Sequence, residues 1–352
     1  MKKSLITLAV AAVVSAPMVA SAAEGSAEAE FFGYTQITAA IGEGQEGNTA
    51  ADGLRFGADS IRLGYKIKHG KAWGMLQADF NKADKSGYEK DNSVIGVPEI
   101  IKDAVVGYKL ADAARVQAGL FKTPIGMDFA NPSKQLDITK RGMESYLVLE
   151  RAAGLMVSGR ELAGFGYDIG VFNPAQRSGA VNFGTAGDGS AYVGRVTYDM
   201  GDSLHLEASF GASTQDSGAA AGTDDYTVFD LAGSYKMGSM TFKGEYVAGS
   251  NVKGKTGYDE SVWYLHGGYA INKKNEVVIR HYAADSKKAD GSETSLGNTY
   301  IGWNIFLAKK QKDARIQLNY VVASGDTKTF TGVAKANGYT SDVFLAQLQV
   351  GF

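Results

Sequence analysis

The chain has 352 residues, 36 basic and 38 acidic side chains, a formal net charge of −2 and no cysteine. That balance leaves no basic footprint for a nucleic acid, and the lack of cysteine excludes a disulfide framework. Glycine is abundant (45) and proline scarce (5), beside 18 tyrosines and 16 phenylalanines. This mix suits strands with glycine-bearing turns and argues against helix bundles.

The first element in chain order is not part of the fold. Lys2 and Lys3 precede the apolar run LITLAVAAVVSAPMVA, which ends in the small residues Ala20, Ser21 and Ala22. This order reads as a signal peptide over 1–22, cut near Ala22, leaving 23–352 as a single exported domain. Beyond it no apolar run approaches the roughly 18 residues of a membrane helix. A membrane barrel stays allowed, because its strands alternate and average out as polar.

Alternation begins in FFGYTQITAAI (31–41), continues in IRLGYKIK (61–68) and returns after His69-Gly70 in GMLQADF (74–80). Period two with β-branched and aromatic residues predicts strands. Further strands are predicted near 101–110, 114–121, 154–161, 164–173, 190–199, 203–213, 226–236, 239–249, 260–271, 275–284, 296–307, 313–323 and 341–352. The total is about sixteen, an even number of segments of the length that crosses a bilayer. Short links such as HGKA, Gly201-Asp202 and Gly238-Ser239 alternate with long polar ones, as in an outer-membrane barrel. The predicted fold class is all-β: a transmembrane antiparallel barrel.

Where the charges fall supports this. The apolar phase, for example Leu204, Leu206, Ala208 and Phe210, carries no charge at the positions assigned to it, although 21% of the chain is charged. The opposite phase holds Arg62, Lys66, Asp79, Asp103, Lys109, Arg115, Arg160, Asp168, Arg195, Glu207, Asp230, Lys243, Glu245, Glu276, Arg280 and Arg315. A ring of sixteen strands leaves room for a water-filled interior where these groups are hydrated. Tyr65, Tyr108, Tyr198, Tyr235 and Tyr269 lie close to short turns on the apolar phase, where an aromatic girdle belongs. A soluble sandwich would bury the apolar phase instead, and has no reason to keep the short–long order of connections. The final strand FLAQLQVGF is expected to pair with the one from Phe31 and close the ring.

One connection breaks the rhythm. Residues 122–153 run for about thirty positions without period two, a length that marks functional or disordered loops. Pro124 and Pro132 stiffen this one, and Phe129, Tyr146 and Leu149 are available to bury. It is expected to fold back into the lumen as a constriction loop. Its charges nearly cancel, with Lys122, Lys134, Lys140, Arg141 and Arg151 against Asp128, Asp137, Glu144 and Glu150.

The run Gly119-Leu-Phe-Lys-Thr-Pro-Ile-Gly126 resembles the strand-to-loop signature of the phosphate-selective porin O and P family. Glu150-Arg151, Gly170-Val-Phe-Asn173 and Arg315-Ile-Gln-Leu-Asn-Tyr320 resemble that family as well. The resemblance implies a sixteen-stranded homotrimeric porin of a Gram-negative outer membrane, with its third loop constricting the channel. Outer-membrane lipid and lipopolysaccharide are then the surroundings, small ions and solutes the cargo, and no cofactor is called for. The candidate anion path comprises Arg62, Arg115, Lys122, Lys134, Lys140, Arg141, Arg195, Arg280 and Arg315, with Arg115 and Lys122 foremost. The competing account has Arg115 and Lys122 pair with nearby Asp or Glu and hold the loop against the wall. Neither sign dominates the wall, so no dense ladder of phosphate-binding cations is evident.

Other signals are weaker. Gly42-Glu-Gly-Gln-Glu-Gly47 matches G-x-G-x-x-G, but no helix follows to aim amides at a pyrophosphate. His69, His205, His266 and His281 are scattered without metal-ligand spacing, and no G-x-S-x-G occurs. A barrel enzyme and an adhesin or receptor are the alternatives to a diffusion channel, and steady conductance across a planar bilayer separates the channel from both.

Overall fold

A computed structural model of the chain describes residues 27–42, 53–82, 100–111, 113–174, 189–215 and 221–352. The signal-peptide span and most of Gly42–Gly47 lie outside the described residues.

Alternation becomes a ladder. Sixteen antiparallel strands form: β1 (Glu28–Gly42), β2 (Leu54–His69), β3 (Ala72–Asp79), β4 (Ile101–Ala111), β5 (Ala114–Lys122), β6 (Arg151–Leu162), β7 (Phe165–Phe172) and β8 (Ala191–Met200). They continue as β9 (Leu204–Ser213), β10 (Tyr226–Met237), β11 (Met240–Ser250), β12 (Asp259–Asn272), β13 (Asn275–Lys287), β14 (Glu293–Phe306), β15 (Ala314–Gly325) and β16 (Val343–Gly351). Each pairs with its sequence neighbours, and β1 pairs with β16 from Tyr34↔Gly351 to Gly42↔Val343, so the sheet is a closed barrel. β2 starts earlier than the sequence pattern predicts, because a bulge at Asp59 lets Leu54–Ala58 stay paired with β1. Gly201 and Gly238 take left-handed φ of 55° and 58° in short turns, a conformation glycine adopts without steric cost.

The faces divide as the pattern predicts. Val106, Ile169, Leu206, Phe210, Leu265, Ile279, Ile301 and Val350 are exposed on the outside of the ring. Tyr65, Tyr235 and Tyr269 join them near the short turns. Gln36, Asp79, Asp168, Asp230, Arg280, Arg315 and Gln347 are buried on the inward phase. At two strand ends parity alone would put a charge on the outer phase, at Lys102 beside Ala104 and Val106 and at Arg151 beside Ala153 and Leu155. Lys102 is instead the extra residue of a bulge against β3, and Arg151 turns inward to Asp103 at 3.1 Å. The bilayer penalty fades toward the rims, so the pattern constrains mid-strand positions most.

Leu265 is 63% exposed in the middle of β12. Leu265→Arg is expected to destabilise the folded barrel by about 2–4 kcal/mol. Urea unfolding in lipid vesicles measures this, and a smaller effect is expected for the same change at Phe352.

Candidate functional site

The segment between β5 and β6 is ordered by its own short elements. It holds a one-turn helix α1 (Met127–Ala130) and two 3₁₀ turns, Ser133–Gln135 and Met143–Tyr146. Ile125, Met127, Phe129, Ile138, Met143, Leu147, Val148 and Leu149 bury themselves in one cluster with Val193, Tyr226, Val228, Val247, Val262, Tyr264 and Val278. All of the latter come from the strands β8 to β13. The same cluster continues through Leu296 and Tyr300 of β14, Val321 of β15, Leu345 of β16 and Ala40 of β1.

Polar contacts fix the segment's position. The Arg280 guanidinium donates to Asp128 and, at 3.4 Å, to Asp137. Lys243 reaches Asp137 at 2.5 Å and Lys312 reaches it at 3.2 Å. Arg315 donates to the Leu136 carbonyl at 2.7 Å, and Asn304 to the Asp137 carbonyl at 3.0 Å. The Thr139 amide donates to Asn319 at 2.8 Å, while Gln347 donates to the Thr139 carbonyl at 3.0 Å. The Asp128 amide donates to Glu245 at 3.1 Å. Strands β11, β13, β14, β15 and β16 each contribute.

Tyr264, Tyr282, Tyr300 and Tyr339 form a row behind these contacts, with ring centroids 5.1, 5.8 and 6.2 Å apart. Arg280 lies 4.3 Å above the Tyr264 ring and donates to the Tyr282 hydroxyl at 2.8 Å. Buried carboxylates and aromatic faces together replace the hydration that Arg280 gives up. The last long connection adds a cover: the Asn337 amide donates to Ser145 at 2.6 Å and to the Gly142 carbonyl at 3.2 Å. Glu260 accepts from the Val333 and Ala334 amides, both at 2.7 Å, and so holds that connection to β12.

The candidate cations separate into three groups. Arg280 and Arg315 are buried, with 1% and 0% exposure, and are occupied by the segment's acids and carbonyls. Lys122 and Arg141 converge on the carbonyls that α1 leaves open. Lys122 donates to Phe129, to Ala130 at 3.4 Å and to Asn131 at 2.8 Å. Arg141 donates to Asp128 and, at 2.5 Å, to Asn131. Both hold the segment through backbone oxygens, whereas the competing account, made for Lys122 and Arg115, proposed acids.

The third group is paired with acids of the strands and turns. Arg62 pairs with Asp79 at 2.8 Å, Arg151 with Asp103 at 3.1 Å and Arg195 with Asp168 at 2.7 Å. Lys140 pairs with Asp59 at 3.0 Å, and Lys134 lies 3.8 Å from Asp313. Asp59 is the bulge residue of β2, and a bulge of this kind re-aims a side chain. Arg115 is exposed and makes no ion pair among the described residues. Sequence reasoning set Lys243 on the inward phase without assigning it to the site, and missed Lys312, Asn319 and the tyrosine row. Equal intervals between Tyr264, Tyr282 and Tyr300 were the available signal, since successive hairpins carry such residues onto one face.

Charge is tuned inside the segment. Burial and then Arg151 press the Arg141 guanidinium down to about 10. Burial alone would raise Asp137, but Lys312, Lys243, His266 and Arg280 hold its carboxyl well below the usual range. Glu144 is fully buried, and neither of its oxygens reaches a hydrogen-bond partner on another residue. Burial, followed by the nearby Asp128, pushes it up to about 7.

The family model for phosphate-selective porin O and P matches residues 43–239, more than half of the chain. The chain belongs to this porin family. No curated protein matches it. Among solved structures, the anion-selective porin from Comamonas acidovorans has a TM-score of 0.68 at 15% identity, over 93% of this chain and 100% of that one. A loop-deletion form of OmpT from Vibrio cholerae gives 0.67 at 14% identity, over 93% and 100%. The channel DcaP of Acinetobacter baumannii gives 0.64 at 12%, over 94% and 99%. At these identities the likeness establishes the fold alone. Family and barrel together make the protein an outer-membrane porin, with its short turns on the periplasmic side.

Two outcomes test the seat of the segment in this porin. Arg280→Ala leaves Asp128 and Asp137 short of a buried partner and is expected to cost about 3–5 kcal/mol. Limited proteolysis within 123–150 and greater open-channel noise would report the loss. Glu144 has its folded value above its unfolded one, so its neutral form favours the seated segment. That stability is complete below the ordinary carboxyl range and is lost as pH rises through about 7. Proteolytic sensitivity is expected to rise between about pH 5 and about pH 9, and Glu144→Gln should flatten the profile.

Proposed function

We propose that this porin is a water-filled diffusion channel, narrowed by residues 122–153 folded into its lumen, and that it passes small hydrophilic solutes with a preference for anions. The observation that carries the anion preference is the division of charge around the ring. Asp128 and Asp137 are committed to Arg280, Lys243 and Lys312 on the far wall. Along the inward phase of β2 to β6, cations outnumber acids: Arg62, Lys66, Lys68, Lys109, Arg115, Arg151 and Arg160 face Asp59, Asp79 and Asp103. An aqueous path between this wall and the segment would carry a positive potential, which concentrates anions.

The roles within the path differ. Arg62, Arg115 and Arg195, with Lys134 and Lys140, are the groups placed to meet a passing anion. Lys122, Arg141, Arg280 and Arg315 hold the constriction in place. Phosphate is the candidate preferred anion, a reading supported by family membership. Assembly as a homotrimer rests on that membership and on a trimer form of the similarly folded OmpT. Export is proposed to remove residues 1–22, and passage through the channel needs no catalytic step.

Reversal potential in a potassium chloride gradient tests the preference directly. An anion-favouring potential is expected, with Arg62→Gln plus Arg115→Gln moving it toward cations. A cation-favouring wild-type channel would overturn the reading. Addition of phosphate is expected to block chloride current at concentrations where sulfate does not, and equal block would remove phosphate preference. Lys122→Ala should give an unsteady channel with its selectivity retained, since its carbonyl contacts serve position.

A further inference from the structure

We propose that the short-turn mouth of the barrel carries a binding site for organic anions that bear a planar aromatic ring. The inference rests on the channel reading only for how such a ligand arrives. Trp73 is the centre of the site. Its register partners are Lys68 on β2 and Gly107 on β4, and Lys109 pairs with Arg115 two residues further toward the turn. All of these share the inward face. A Cβ at Gly107 would stand 2.3 Å from Cε2 of Trp73 and 2.4 Å from its Nε1. The indole therefore lies flat on the wall over a glycine, with one ring face turned away from the strands.

A cavity of about 400 Å³ opens beside that ring, lined by Trp73 together with Lys68, Lys71, Lys109, Arg115 and Arg160. Among the described residues no carboxylate lines it. A second cavity of about 550 Å³ shares Lys68, Trp73 and Arg115 and is lined by Glu28 and Glu30 as well, Glu28 being the cross-strand partner of Lys68, so the cation-rich side is the first cavity. Arg160 is engaged with Asp168 at 2.8 Å, but neither Arg115 nor Lys68 makes an ion pair among the described residues. The Trp73 Nε1 donates to none of the described residues.

An aromatic girdle residue is the simpler account of a tryptophan near a barrel rim. Girdle rings face lipid, however, and Trp73 shares its face with Gly107 and Lys109, opposite to Leu76 and Tyr108. A small oxyanion would use the cations and leave the indole idle. An aromatic carboxylate uses both, its charge on Arg115 and Lys68 and its ring on Trp73.

The experiment uses the mature porin in detergent with Trp263→Phe and Trp303→Phe, which leaves Trp73 as its one tryptophan. Titration with 4-nitrobenzoate, an electron-poor aromatic that quenches indole on contact, is expected to give saturable quenching. Arg115→Gln should weaken that binding about tenfold or more, and neutral 4-nitrobenzyl alcohol should quench only linearly. Linear quenching by 4-nitrobenzoate, or saturation unchanged by Arg115→Gln, would overturn the site. In planar bilayers, 4-nitrobenzoate should block chloride current better than acetate, and Trp73→Leu should cut that advantage about threefold to tenfold. An undiminished advantage would also overturn it. Saturable quenching without conductance would sink the channel and spare the site, while steady conductance with linear quenching would do the reverse.

Discussion

A backbone crossing hydrocarbon has no water to turn to, so each amide and carbonyl needs a partner within the protein. Sixteen strands meet this requirement only as a ring, and the seam between β1 and β16 completes it. Much of the rest of the architecture follows from that seam. A ring has an outside that must be apolar at mid-height, and an inside free to be polar. The same alternation that pairs Ile37 with Leu348 toward lipid sets Gln36 beside Gln349 within, where their side-chain amides bond at 2.8 Å. The sequence needs no other device to tell the two environments apart.

Within that frame, the segment after β5 is held by two kinds of force. Apolar residues from Ile125 to Leu149 bury it in the barrel's core cluster, and ion pairs on Asp128 and Asp137 fix its position against β11 and β13. The arrangement spends buried charge freely. Arg280 alone touches two carboxylates, a histidine and two tyrosine rings. Buried pairs of this sort add little net stability beside a well-packed apolar substitute, but they penalise misplacement strongly. The network thus serves the position of the segment more than the stability of the barrel.

The barrel was legible because period two, turn residues and the absence of mid-strand charge each point to it independently. Leu206 and Leu265 could be set facing lipid, and β16 set against β1, from sequence alone. The site was less legible. Arg280 and Arg115 look alike in a strand pattern, yet one is sealed under the segment and the other is open to solvent. Nothing local distinguishes them, since the difference comes from a segment distant in sequence. Lys122 was expected foremost on the anion path, because it opens the segment. Its partners, the open carbonyls of a one-turn helix, depend on a loop conformation that no periodicity encodes. Trp73 carried no signal until Gly107 was seen beneath its ring.

The anchors of residues 123–150 also impose an order of events. This stretch leaves the ribosome before β6, but most of the side chains that fasten it belong to β11, β13, β14, β15 and β16. Few of its anchors exist while the second half of the polypeptide is unfinished. Fastening therefore belongs to the final stage of assembly, alongside the meeting of the two chain ends. Long-range contacts of this kind form slowly, because the intervening chain must first be brought together. A half-built cylinder would lack these anchors, so a cell that inserts this protein does best to complete it in one step.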